Sequence, residues 1–215
     1  GSLPPETLHL LLKRLDARAL VTTADTLAAA HTAGTDLTAC TRRTLTLDAP
    51  APGAVPLADV RGHRPPTPQC PSVQAPLAIM HTSGTTGAPK GVPRRQHAER
   101  VAALAHVAQN RYGYGERTLG VLPLYHTMGV RSLLTMALVD GRFVCMPRFE
   151  ATAALRAIET ERVSHLYLVP TLYHDLLAHP DFKRTDTQSV RKLGFAGAPM
   201  HDALLLRLQQ AFQPE

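Results

Sequence analysis

The chain has 215 residues, 44% of them hydrophobic, 19% charged and 5% aromatic, with a formal charge of +6. That is enough for one or two globular domains with a buried core, and no apolar run reaches the roughly 18 residues of a membrane span. The arginines behind the charge are scattered, with only short pairs such as Arg42-Arg43 and Arg94-Arg95, so solvated faces that draw in anions fit better than a nucleic-acid stripe.

In chain order, Leu8, Leu11, Leu12 and Leu15 fall at helical spacing, and Ala19-Leu20-Val21-Thr22 reads as a strand. Thr44-Leu45-Thr46-Leu47 alternates as a second strand. Residues 1–48 are thus expected to form a partial α/β unit. From Pro50 to Pro76 proline recurs throughout. Residues 49–76 are therefore expected as an extended surface connection, because proline breaks helices and central strands.

A third unit is expected over residues 77–215, opening with Leu77-Ala78-Ile79-Met80 as a buried strand. Helices are expected around Val101–Ala108, Val130–Leu138, Ala151–Ile158, Leu172–Leu177 and Leu204–Phe212. Strands are expected at Leu119–Leu122, Arg142–Met146, Leu166–Val169 and Leu193–Ala196. Strands alternating with helices predict an α/β fold with a doubly wound, mainly parallel sheet, whose ligands bind at the carboxyl ends of the strands.

Between the first of these strands and the helix starting near Gln96 lies Thr82-Ser83-Gly84-Thr85-Thr86-Gly87-Ala88-Pro89-Lys90-Gly91. Glycines lacking Cβ, hydroxyls on both sides of them and one lysine suit a polyanion, so the expected order is strand, phosphate loop, helix. Pro89 before Lys90 and Gly91 after it exclude the Gly-Lys-Ser/Thr loop of the GTPases. Cys40, Cys70 and Cys145 are odd in number and far apart, which points to a reducing, cytoplasmic setting. No metal-ligand spacing occurs; His174 and His179, for example, are five apart and do not share a helix face.

The ten-residue loop resembles the Thr-Ser-Gly-Thr-Thr-Gly-x-Pro-Lys-Gly signature of the acyl-adenylate-forming (AMP-binding) superfamily. Leu122-Pro123-Leu124-Tyr125-His126-Thr127-Met128-Gly129 resembles its Pro-Leu-Phe/Tyr-His-x-x-Gly segment, Leu168-Val169-Pro170-Thr171 a strand end beside the acyl pocket, and Phe195-Ala196-Gly197-Ala198-Pro199-Met200 its adenine turn. The likeness is nearest to acyl- and aryl-CoA ligases of the chlorobenzoate type. One departure is that Arg95-Gln96 stand where the family has Thr/Ser-His, leaving His97 one position late.

The resemblance implies a fragment of the large N-terminal domain of an ATP-dependent acid–thiol ligase, with ATP, Mg2+ and CoA as cofactors. Its small-molecule partner would be a carboxylate, with no nucleic acid and a homodimer as one arrangement. It implies phosphate binding by Thr82, Ser83, Gly84, Thr85, Thr86 and Gly87, and charge from Lys90. Gly197, Ala198 and Pro199 would lie along adenine, His126 would orient the carboxylate, and Met128, Val130 and Tyr167 would wall the acyl pocket. It also implies that the magnesium-holding glutamate, the ribose aspartate and the lysine-bearing C-terminal domain belong beyond Glu215, that part of the large domain precedes Leu3, and that the fragment alone is inactive. A carrier-protein-loading adenylation domain and a non-catalytic nucleotide-binding module stand as alternatives.

Overall fold

The computed structural model describes residues 3–60, 71–82 and 90–214, in two compact units, Gly1–Gln69 and Cys70–Glu215. In the first, helix α1 (Pro5–Arg14) opens on proline, whose fixed φ suits a first helical turn. Strand β1 (Ala19–Thr22) leads to helix α2 (Ala24–Thr32), which begins where the Thr23 hydroxyl accepts the Thr26 N–H at 3.3 Å. Strands β2 (Arg43–Thr46) and β3 (Val55–Pro56) complete a parallel sheet of order β1-β2-β3. Leu12, Leu27, Ala30 and Leu37 form its buried core.

The expected connection over 49–76 is corrected in part. Val55 and Pro56 pair with Leu45 and Thr46, Leu57–Val60 forms a 3-10 turn, and Pro76 already belongs to the next strand. Proline is tolerated in β3 because an edge strand needs ladder bonds on one side only. Residues 61–70 of that segment lie outside the described residues.

The second unit opens with an antiparallel hairpin of β4 (Pro76–Thr82) and β5 (Lys90–Arg95), followed by helix α3 (Gln96–Gln109). There follow β6 (Arg117–Gly120), α4 (Thr127–Leu138), β7 (Arg142–Cys145), α5 (Ala151–Thr160), β8 (His165–Leu168), α6 (Pro170–Ala178), β9 (Lys192–Phe195) and α7 (Asp202–Phe212). The four strands β6 to β9 are all parallel, in the order β7-β6-β8-β9. Leu119 of β6 and Leu166 and Leu168 of β8 pack with Leu155, Ile158, Tyr173, Leu176, Leu208 and Phe212 of α5, α6 and α7. Phe143 of β7 instead packs with Met136 of α4, with Val139 just after it and with Tyr112. Period-two alternation thus gives each face of the sheet its own helical layer.

This order carries a functional consequence. From β6 the chain crosses through α4 to β7 on one side, then returns through α5 to β8 on the other. The switch point lies between β6 and β8, and a doubly wound sheet binds its ligands outside the carboxyl ends of the strands that flank such a point.

Candidate functional site

The hairpin holds the two ends of the segment expected to bind phosphate. Thr82 and Lys90 face each other in the antiparallel register, as do His81 and Gly91. Ser83, Gly84, Thr85, Thr86 and Gly87 lie outside the described residues. The expected order of strand, loop, helix is corrected: after the loop the chain returns as β5, and α3 begins only at Gln96. The expected burial of β4 is corrected too, since Leu77 and Ile79 are 42% and 44% exposed. A two-stranded sheet packs one face only, here through Met80, which lines a narrow internal space with Val130 of α4.

Arg94 of β5 ties this hairpin to the start of α4. Its guanidinium meets the Glu99 carboxylate of α3, whose side chain is 3% exposed, and donates to the Thr127 hydroxyl at 3.2 Å. Neither Arg94 nor Glu99 has a sequence signal, because an arginine in a strand and a glutamate in a first helical turn are ordinary surface residues. Departure from the family at Arg95-Gln96 has a local explanation. The Ala75 and Val73 carbonyls accept the N–H groups of Gln96 and His97, both at 2.9 Å, so backbone does the work of a capping hydroxyl.

His126 stands at the N-cap of α4, exposed, with its ring 4.6 Å from that of Tyr125 and no capping bond from its side chain. Its backbone is fixed, the N–H donating to the Pro123 carbonyl at 3.0 Å and the carbonyl accepting from Val130 at 3.2 Å. Gly129 makes this possible, because a Cβ there would overlap the carbonyl oxygens of Leu122 and Pro123. Met128 and Val130 follow, both half-buried.

Tyr167 lies in β8, half-buried, its ring 4.9 Å from that of His106 on α3. Gly194 of β9 leaves room for it, since a Cβ would come within 2.8 Å of the Tyr167 ring. Gly197 follows β9 with a φ of +85°, which glycine adopts without strain, and Ala198 and Pro199 are exposed beside it. The segments after β6, β8 and β9 therefore lie along the carboxyl edge of one sheet. The internal space lined by Val130 does not include His126, Met128 or Tyr167. Among the described residues, no group of three His, Cys, Asp or Glu side chains is placed to hold a metal.

Behind Tyr167 lies an aromatic stack that the sequence did not reveal. Tyr112 stacks on His165 at 4.1 Å and meets His106 edge-on at 5.5 Å. Burial, reinforced by the Arg131 cation and His165, lowers the His106 pKa from 6.5 to about 4. Between these values the unfolded chain binds the proton and the folded chain does not. Stability conferred by the neutral ring is thus complete above pH 6.5 and declines as the pH falls towards 4. His106→Leu is expected to flatten that part of the stability–pH curve by about 1 kcal/mol, since water still reaches part of the ring. Urea melts at pH 7 and pH 4.5 check this, and parallel curves for both proteins would refute it.

Residues 1–215 match the family described as AMP-binding enzyme, and the chain belongs to that family. It is 37% identical over 155 residues to a 4-chlorobenzoate–CoA ligase of Pseudomonas sp. (strain CBS-3), covering 71% of this chain and 29% of that protein. It is 39% identical over 146 residues to 4-coumarate–CoA ligase 2 of Oryza sativa subsp. japonica, covering 63% and 26%. The chain thus spans less than a third of these relatives. Among solved structures, the anthranilate CoA ligase AuaEII in complex with anthranoyl-AMP matches with a TM-score of 0.89 at 23% identity, over 99% of this chain and 42% of that one. A fatty acyl CoA synthetase of Mycobacterium tuberculosis matches at 0.83 and 23%, over 97% and 40%. These two likenesses are of fold. Among the described residues, no helix is long and apolar enough to cross a membrane.

Proposed function

We propose that this chain is the nucleotide- and acyl-binding part of an ATP-dependent ligase that activates an aryl or medium-chain carboxylate as its adenylate and passes it to the thiol of CoA. The observation that carries this reading is the topology: the Pro123–Gly129 segment follows β6 and Val169-Pro170 follows β8, the two strands that flank the switch point. The identity to 4-chlorobenzoate–CoA ligase supports the aryl class.

In this reading a carboxylate oxygen attacks the α-phosphorus of ATP and pyrophosphate leaves. The nucleophile is already ionised at neutral pH, so no general base is required. What the protein supplies is position and neutralisation of phosphate charge. Thr82, Ser83, Thr85 and Thr86, with the N–H groups of Gly84 and Gly87, hold the β- and γ-phosphates. Lys90, paired in register with Thr82, adds the positive charge. Gly197, Ala198 and Pro199 lie along adenine, a flat surface that an exposed turn without bulky side chains offers. His126 orients the carboxylate, its ring presented from a fixed backbone, and Met128, Val130 and Tyr167 form apolar walls. Among the described residues no acidic cluster is placed to hold magnesium.

Walls of this kind reject an amino acid, whose ammonium group would need a carboxylate partner. None of Leu122–Val130, Leu166–Thr171 or Phe195–Met200 contains an aspartate or glutamate. Pyrophosphate exchange by the full-length enzyme with benzoates, hexanoate and a panel of amino acids is expected to rank the first two above every amino acid. Preferential activation of any amino acid would overturn the assignment.

A further inference from the structure

Three of the scattered arginines meet at the opposite edge of the same sheet. Arg117 is the first residue of β6, Arg191 immediately precedes β9, and Arg162 ends the α5–β8 turn. With Tyr114 and Ser189 they line an open cleft of about 330 Å³ at the amino ends of the strands. Four-residue strands separate it from the carboxyl edge by about 13 Å. None of the roles assigned above to the phosphate loop, His126 or the Gly197 turn involves it.

The charges on its walls are unequally matched. At the floor, Glu116 is 4% exposed and fully engaged: it takes hydrogen bonds from Lys192 and Ser164 and from the Gly113 N–H at 3.3 Å. Burial works against its ionisation, but these bonds and His165 outweigh it and hold its pKa well below the usual carboxylate range. Lys192 offsets that buried charge, so Glu116 asks little of Arg191, whose nearest nitrogen is 3.9 Å away and whose side chain is 51% exposed. Arg162 pairs with Asp186 at 3.1 Å, a carboxylate that also accepts the Gln188 N–H at 3.0 Å. The Arg117 guanidinium donates once, to the Glu161 carbonyl at 2.8 Å. With Glu116 set against Lys192 and Asp186 against Arg162, the described residues of the cleft keep two guanidinium charges in excess, those of Arg117 and Arg191, the latter only loosely shared with Glu116. Beside them the Ser189 hydroxyl oxygen is buried with no hydrogen-bond partner among the described residues.

We propose that this cleft is a second anion site, distinct from the nucleotide site, that binds the phosphate group of a small phosphorylated metabolite. Two guanidinium charges in excess of the local carboxylates match the charge of roughly −1.5 to −2 that a phosphate monoester carries at neutral pH. Their planar forks suit its oxygens as ammonium groups would not, and a third arginine supplies further donors. The volume lies at the low end of the range for small-molecule pockets, which favours a compact ligand over a whole dinucleotide.

Hydrogen–deuterium exchange of the full-length enzyme with inorganic pyrophosphate tests this, because it locates protection along the chain. Protection is expected at 113–117 and 186–191 in addition to 82–91. The double variant Arg162→Gln/Arg191→Gln alters two exposed side chains and should weaken the distal protection about tenfold or more in pyrophosphate concentration. Protection at 82–91 should stay unchanged. Absence of distal protection, its survival in the double variant, or its reproduction by sodium chloride at equal ionic strength would each overturn the proposal. Loss at 82–91 alone would count against the nucleotide site instead.

Discussion

Lys90→Ala in the full-length enzyme is expected to slow carboxylate-dependent pyrophosphate exchange by roughly 10²–10³-fold, the usual cost of losing one group aimed at developing charge. Lys90 heads β5 opposite Thr82, with its side chain exposed at the end of the loop. Removing it leaves the hairpin ladder intact, since that ladder is made of backbone bonds. The expected signature is therefore a fall in rate at an unchanged melting temperature. Lys90→Arg should recover part of the rate, because the charge returns with a different shape and reach. Exchange within about twofold of the parent enzyme for Lys90→Ala would take this lysine out of phosphate neutralisation and leave it a strand-edge residue.

Period and punctuation account for how much of the second unit the sequence revealed. Ala151, Ala154, Leu155 and Ile158 repeat at helical spacing because one face of α5 is buried, and Pro170 marks the start of α6. The same reasoning failed where tertiary context decided. Leu77-Ala78-Ile79-Met80 is as apolar as a central strand, yet its partner β5 contains Pro93 and Lys90-Gly91 and carries no strand signal. α2 shows almost no apolar period; its signal is the capping threonine, Thr23, which alanine-rich sequence makes easy to pass over. The candidate site segments followed a similar division. Motif residues such as His126 and Gly197 could be named because their order along the chain is distinctive. His106, Glu116 and the three arginines at the amino edge could not, because only the parallel strand order brings residues 117, 162 and 191 together.

The Arg94–Glu99 pair holds the loop-bearing hairpin against α3 and reaches α4 through Thr127, so its loss should cost more stability than any exposed ion pair of this chain. Arg94→Met removes the one ion-pair partner that the described residues give Glu99, whose side chain is 3% exposed. A buried carboxylate left alone typically costs about 3–5 kcal/mol, whereas removing both charges together is often close to neutral. By contrast, the exposed pairs Arg142–Glu161 and Arg162–Asp186 should each be worth about 0–1 kcal/mol. Denaturant unfolding of Arg94→Met, Glu99→Leu and the double variant separates burial from attraction. The expected order is that Arg94→Met is the least stable and that Glu99→Leu added to it restores about half or more of the loss. Additive losses would show that the two side chains do not act as a pair. If the double variant regains stability while pyrophosphate exchange stays slow, the Arg94 bond to Thr127 also sets the position of the α4 start and of His126 beside it. Full recovery of both would confine Arg94 to a structural role.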